Sequence, residues 1–363
     1  MMKKVEIITL HYISNYGSVL QTFATQKKFE QMGYSTEVVN YIRPNATPKE
    51  LIKSGLKQKN YTNPVKIASY RIIKSTENRF RNRVCAKFLK KYVHMSKKYA
   101  AYEELKQDPP IADIYVTGSD QTWNSEYNGG VLPAYYLDFA PQGKKKIGYS
   151  VSIGMPEIPE NEYEETRKYV TQYDAISVRE DSAKKILEQM GCRNVEHILD
   201  PTLVLNEKDW SDFVAPRMIK EKYILVYKLH YDQMIDIYAE KLSEKTGYRV
   251  VKMTYFFSHM KGNGKTIFCP EVGQFLSLIK NAEHVITDSF HCTAFSLNFK
   301  KDFFVVYPGK YSTRLHSILS LTGTEHRVVK DLSFHPQRID FEYVDRKLNE
   351  ERVKVDAFIR KYC

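Results

Sequence analysis

The feature that most constrains this chain is a rhythm. Short β-branched and aromatic runs, each closed by a polar turn, alternate with amphipathic stretches that stop at glycine. Residues 5–12 read as a strand. Residues 16–32 then read as a helix with Leu20, Phe23, Ala24 and Phe29 on one face, Gly33 ends it, and residues 35–41 return to strand. The rhythm breaks at Arg43-Pro44 and resumes at residues 113–117, with further strands expected at 146–152, 175–178 and 195–199. A second series is expected at 223–228, 249–253, 284–287 and 302–307, with helices at 233–244, 272–282 and 292–299 between its strands. Strands and helices that alternate across short turns require parallel sheets covered by helices, so the fold class is α/β. A chain of 363 residues is too long for one core. The reading is an N-terminal Rossmann-like domain over 1–205 with a basic helical insertion at 45–110, a second over 206–342, and a charged C-terminal helix over 343–363.

The insertion matters because of charge. The net charge is +12, which by itself points to nucleic acid or a membrane surface. Residues 45–110 hold 16 Lys and Arg against 5 Asp and Glu, whereas the rest of the chain is nearly balanced at 39 against 38. Five scattered cysteines with no C-x-x-C pair argue against disulfides and structural zinc. Glu6 interrupts the first apolar run, so that run reads as a strand rather than a signal peptide, and a cytoplasmic location is expected.

Several motifs fail on counting. Gly264-Lys265-Thr266 resembles the end of a P-loop, but His259 stands where its first glycine is needed, and the segment reads as a surface turn. There is no G-x-G-x-x-G after a strand and no Asp-x-Asp pair to hold a metal–diphosphate. What survives is a set of polar residues at the carboxyl ends of expected strands, where open α/β sheets bind ligands. Asn15, Gly17 and Ser18 open the first helix, where free N–H groups suit an anion, although a simple N-cap explains Asn15 equally well. Ser119, Asp120 and Gln121 lie in the dense polar turn Gly118-Ser119-Asp120-Gln121-Thr122-Trp123-Asn124. Arg179 ends a strand where it could clamp a carboxylate or phosphate, or form a surface ion pair with Glu180 or Asp181. His291 follows Thr287-Asp288-Ser289-Phe290 at a helix start, which disfavours its cationic form while Asp288 favours it. Fewer polar neighbours converge on His11, His230, His259 and His316.

Together these segments resemble the polysaccharide pyruvyl transferase family. The resemblance rests on residues 10–21, 118–124, 146–154, 177–182, 199–202 and 286–291, in that order along the chain. It implies a fold like that of metal-independent (GT-B-like) glycosyltransferases, with two Rossmann-like domains facing a cleft and a C-terminal helix packing back on the first. It also implies transfer of the enolpyruvyl group of phosphoenolpyruvate to two hydroxyls of one sugar in a cell-surface polysaccharide or its lipid-linked precursor. The products are a pyruvate ketal and phosphate, and no metal or cofactor is implied. By this resemblance His291 is the acid/base and Arg179 the donor clamp, with Asn15, Gly17, Ser18, Ser119, Asp120, Gln121, Ser150 and Ser289 as binding residues. The family pattern has arginine two positions before the histidine, and this chain has Ser289; Arg314 is the substitute cation expected from sequence.

The alternatives are another glycan-modifying transferase using a nucleotide sugar, or a non-catalytic protein that binds anions or nucleic acid. The basic segment lacks a recognised nucleic-acid motif, so no nucleic-acid partner is expected. Within it Val65, Ile72, Ile73, Phe80, Val84, Phe88 and Leu89 would form an apolar face beneath Arg71, Arg79, Arg81, Arg83 and Lys87. That is either a solvated helical cover or a peripheral contact with an anionic membrane or a diphosphate-lipid-linked glycan at its inner face.

Overall fold

The computed structural model describes residues 2–230, 232–309, 312–332 and 337–363. It divides into two compact units, each built on a parallel sheet, as the strand–helix rhythm requires. The first unit comprises the chain up to Asn78, Ala86–Val204 and Glu351–Cys363; the second comprises Arg79–Cys85 and Leu205–Glu350.

The first sheet has seven strands: β1 (Lys4–Ile8), β2 (Ser35–Tyr41), β3 (Met95–Tyr99), β4 (Ile114–Thr117), β5 (Lys145–Val151), β6 (Ala175–Val178) and β7 (Val195–His197). Their order is β3-β2-β1-β4-β5-β6-β7, all parallel. The chain leaves β1 to build one side of the sheet and returns to build the other beside it. The carboxyl ends of β1 and β4 therefore flank the switch point where such sheets open a crevice. β1 is shorter than its apolar run, because the chain turns at Leu10, whose carbonyl accepts from the Ile13 N–H at 3.3 Å. The helix Tyr16–Gln31 follows, capped by Asn15, whose side chain accepts from the Gly17 N–H at 2.9 Å.

The second sheet has five parallel strands: β8 (Tyr223–Tyr227), β9 (Arg249–Thr254), β10 (Lys265–Phe268), β11 (His284–Thr287) and β12 (Asp302–Val305). The order β10-β9-β8-β11-β12 repeats the first arrangement, with its switch point between β8 and β11. The helix Phe341–Tyr362 closes the chain, and its last twelve residues together with Cys363 belong to the first unit. There Asp356 pairs with Lys28, and Arg352 Nε donates to the Leu203 carbonyl at 2.9 Å.

Two strands have no counterpart in the sequence reading, and both are edges. β3 lies inside the basic segment, where Ser96 and Tyr99 point inward while Lys97 and Lys98 face water. Lysines on an edge strand suit solvent and deter pairing with other chains, and they erase the apolar signature by which strands are recognised. Lys265 and Thr266, read as a surface turn, instead open β10 after a true turn at Gly264, whose φ is +104°.

The expected apolar face of the insertion also divides. In the helix Pro64–Tyr92, Val84 and Phe88 are buried, whereas Val65, Ile72, Ile73 and Phe80 are exposed.

Candidate functional site

At the first switch point the backbone of β4 comes against β1. A Cβ added to Gly118 would lie 3.2 Å from the side chains of both Ile7 and Thr9, so any larger residue would press β1 by a few tenths of an ångström. Thr9 Oγ1 donates to the Ser119 carbonyl at 2.6 Å, tying the ends of the two strands. Asp120 then adopts φ +78°, a left-handed conformation that costs energy for a residue with a side chain. Its carboxylate accepts from Ser18 Oγ at 2.7 Å, the Gln121 N–H at 2.9 Å and Arg179 Nη2 at 3.2 Å.

Arg179 is the centre of this network. It is 3% exposed, and Nη1 donates to Asp200 at 2.6 Å while Nη2 reaches Asp120. Burial opposes its charge, but the carboxylates of Asp200, Asp120 and Glu180 outweigh burial and hold its pKa above the ordinary arginine value. Ser119 Oγ donates to the same Asp200 oxygen at 3.1 Å. The structure thus brings Ser18, Ser119, Asp120 and Arg179 into one buried cluster, and it adds Asp200. The alternative of a surface ion pair does not hold for Arg179. Its guanidinium is held by the internal carboxylates of Asp200 and Asp120.

Glu180, expected from sequence as a surface partner for Arg179, is instead 1% exposed and accepts from Ser152 Oγ and the N–H groups of Ile153 and Gly154 at 2.8–3.0 Å. Gly154, at φ +65°, lets the Gln121 amide approach to where a Cβ would stand 2.8 Å away. Gln121 accepts in turn from Asn124 Nδ2 at 3.3 Å. Ser150, at φ +51°, donates to the Leu199 carbonyl at 2.9 Å and braces the end of β5. Trp123 is a core residue, stacked on Tyr136 with its Nε1 donating to the Tyr135 carbonyl at 2.9 Å. Asn15 and Gly17 form the helix cap described above.

His11, just beyond β1, is fully buried, and burial pushes its pKa down to about 4 against a weaker opposing pull from the Thr9 carbonyl. The unfolded chain takes up this proton near pH 6.5 and the folded chain only near pH 4. Its contribution to stability is therefore complete above pH 6.5 and is lost as pH falls to 4, by about 3 kcal/mol. Urea unfolding at pH 7 and pH 4 should show that this part of the acid loss disappears in His11→Gln.

On the same carboxyl edge of the first unit lies a cavity of about 440 Å³ above β2 and β3, with Tyr12, Tyr41, Tyr99, Tyr102 and Lys98 in its lining. Two of the rings are held by their hydroxyls: Tyr99 donates to the Asp108 carbonyl at 3.1 Å, and Tyr102 to the Asp138 carboxylate.

In the second unit the switch point joins the loops after β8 and β11. Thr287 Oγ1 donates to the Tyr227 carbonyl at 2.6 Å and accepts from the Ser289 N–H at 3.0 Å. Ser289 is buried and N-caps the helix Phe290–Asn298, accepting from the Cys292 N–H at 3.4 Å. His291, also buried, is the second residue of that helix, its ring edge-on to Phe290 at 5.2 Å. Asp288 accepts from the N–H of Leu229 at 2.7 Å, and from the N–H and Nδ1 of His230, both at 2.9 Å. A carboxylate can only accept, so in this pair the His230 ring donates from Nδ1. Sequence reasoning ranked His230 among the weak histidines; its partner lies 58 residues away.

Cations gather at this edge too. Lys228 follows β8 and pairs with Asp236, while Lys252 on β9 lies 3.8 Å from the same carboxylate and donates to the Lys261 carbonyl at 2.8 Å. Burial, and then the Lys228 charge, lower the pKa of His259 beside them. Arg314 is half-buried in the helix Thr313–Leu321, which packs on the helix that carries His291. Among the described residues, no group of three or more His, Cys, Asp or Glu side chains is arranged to hold a metal ion.

The profile of the polysaccharide pyruvyl transferase family matches residues 15–310, a span that begins after β1 and takes in β4 and the whole switch point between β8 and β11. The chain belongs to the polysaccharide pyruvyl transferase family. No curated protein matches it in sequence. Among solved structures, the UDP-GlcNAc 2-epimerase of Methanocaldococcus jannaschii is similar at 13% identity and a TM-score of 0.48, over 97% of this chain and 93% of that one. The glycosyltransferase SnogD of Streptomyces nogalater is similar at 10% identity and a TM-score of 0.47, over the whole of both chains. Membership makes this pyruvyl transferase relative a transferase, with His291 and Arg179 both inside the matched span.

Proposed function

We propose that this protein transfers the enolpyruvyl group of phosphoenolpyruvate to two hydroxyls of one sugar, forming a cyclic pyruvate ketal and releasing phosphate. In this reading the methylene carbon of the donor takes a proton, the first hydroxyl adds to the adjacent carbon, and the second displaces phosphate there. One hydroxyl proton replaces the proton delivered to carbon and the other leaves with phosphate, so the reaction needs no redox partner. His291 delivers the proton to carbon, and the His230–Asp288 pair accepts one from a hydroxyl. Lys228 and Arg314 supply positive charge for the donor's carboxylate and phosphate where the family pattern has an arginine and this chain has Ser289. Arg179 acts by holding Asp120, Ser119 and the end of β4 in place. The tyrosine-lined cavity of the first unit suits the acceptor, since an aromatic ring face packs against the apolar face of a pyranose while polar groups take its hydroxyls.

The observation that carries this reading is the switch point between β8 and β11. Asp288 there orients one histidine by both its backbone and its ring, three residues before a second histidine at a helix start.

The test is phosphate release from phosphoenolpyruvate with a panel of free, nucleotide-linked and lipid-linked sugars. Release should depend on one acceptor class, whose product carries a ketal, and Tyr12→Ala should raise the acceptor KM about tenfold while leaving the KM for phosphoenolpyruvate unchanged. Release without an acceptor, or turnover of a nucleotide sugar without phosphoenolpyruvate, would refute it.

A further inference from the structure

The basic segment resolves into two parts with different surroundings. From Met95 onward it builds β3 and the first unit's sheet. Residues 48–76 behave differently. They form a helical hairpin: the helix Pro48–Lys59, capped by Thr47 and closed by Asn60 at φ +48°, and the first part of Pro64–Tyr92, capped by Asn63. The two helices meet where Gly55 faces Tyr70, whose hydroxyl would lie 2.1 Å from any Cβ at Gly55. None of residues 47–76 is buried.

A surface hairpin exposed along its whole length should be polar throughout, and this one is not. Val65 is 72% exposed, Ile72 68%, Leu51 45% and Ile73 43%. Val65, Ala68 and Ile72 follow the three- and four-residue spacing of one helix face. Around them stand Lys49, Lys53, Lys57, Lys59, Lys66, Arg71 and Lys74, with Glu50 the single acid in the segment.

Aliphatic side chains left in water and a ring of bases fit one kind of partner well. We propose that residues 48–76 dock the protein on the surface of an anionic phospholipid bilayer. The aliphatic side chains enter the boundary between headgroups and acyl chains, and the bases lie against the anionic headgroups. A second copy of the chain would bring the same excess of positive charge to the contact. A nucleic acid would match the charge but leave the four aliphatic side chains without a role. Among the described residues no helix is long and apolar enough to cross a membrane, so the hairpin lies on the bilayer rather than through it.

The experiment is co-sedimentation of the full chain with vesicles of phosphatidylcholine alone, and of phosphatidylcholine with phosphatidylglycerol. A single-stranded RNA oligonucleotide is titrated separately. Binding should be at least about tenfold tighter to the anionic vesicles and should weaken steeply with salt. The triple variant V65S/I72S/I73S and the triple variant K53Q/K57Q/K59Q should each weaken it by about tenfold. Both should unfold thermally like the wild type, since none of the replaced side chains is buried. Equal affinity for the two vesicle types, binding that ignores both variants, or binding to the RNA with none to vesicles would each overturn the proposal. The readout requires no turnover, so it stands apart from the pyruvyl transfer reading.

Discussion

His291→Ala should lower phosphate release from phosphoenolpyruvate by about 10²–10⁴-fold in kcat, the range over which a positioned acid or base contributes. The fold should survive, because the helix that carries His291 is capped by Ser289, and Thr287 holds the Ser289 N–H independently of the imidazole. The control is circular dichroism of the variant, which should match the wild type. His230→Ala should cost less, since its ring is half-exposed at 49% and water can partly replace a base that takes its proton from a hydroxyl. Asp288→Asn separates the two roles: the amide keeps one acceptor for the loop N–H groups but no longer holds His230 in its Nδ1–H form. It should depress kcat with little change in the KM for phosphoenolpyruvate. Full turnover in His291→Ala would remove this residue from the chemistry, and turnover lost equally in all three variants together with structure would reduce the switch point to a folding element.

The strand–helix rhythm was legible because strands buried on both faces are nearly continuous apolar runs, as in Val285 and Ile286 of β11. The same logic hid β3 and β10, whose edge positions permit lysine and threonine. The residues at the switch points were legible because polar side chains after a buried strand need a reason. Their partnerships were less so. Asp200 precedes Pro201-Thr202 and accepts from the Thr202 N–H and hydroxyl, which fully accounts for it as a local turn residue. Only its other oxygen, on Arg179, reveals a second role, and sequence does not show which strand end Arg179 faces. His230 was ranked low for the same reason, since the residue that orients it comes from the neighbouring strand's loop. The exposed hairpin is the converse case: its periodicity looked like an apolar face with a partner, and burial shows that only the later turns have one.

Arg179→Ala should destabilise the first unit by about 3–5 kcal/mol, because it strands two carboxylates, that of Asp200 fully buried and that of Asp120 only 11% exposed. Asp120 carries an additional cost: its left-handed backbone is sustained by the contacts its carboxylate makes, and the arginine supplies one of them. Urea unfolding at pH 7.5 measures the loss. Arg179→Ala combined with Asp200→Asn should recover part of it. Arg179→Lys is the informative functional variant, since a single ammonium cannot reach two carboxylates in the fork geometry of a guanidinium. If Arg179 positions the β4 turn, the lysine variant should lose kcat about tenfold or more while its KM for phosphoenolpyruvate stays within about twofold. A KM raised more than about tenfold with kcat retained would instead return Arg179 to the role of a direct donor clamp. A loss of stability below about 1 kcal/mol in Arg179→Ala would mean that the carboxylates find water or other partners, and the buried cluster would then no longer explain how the turn after β4 keeps its shape.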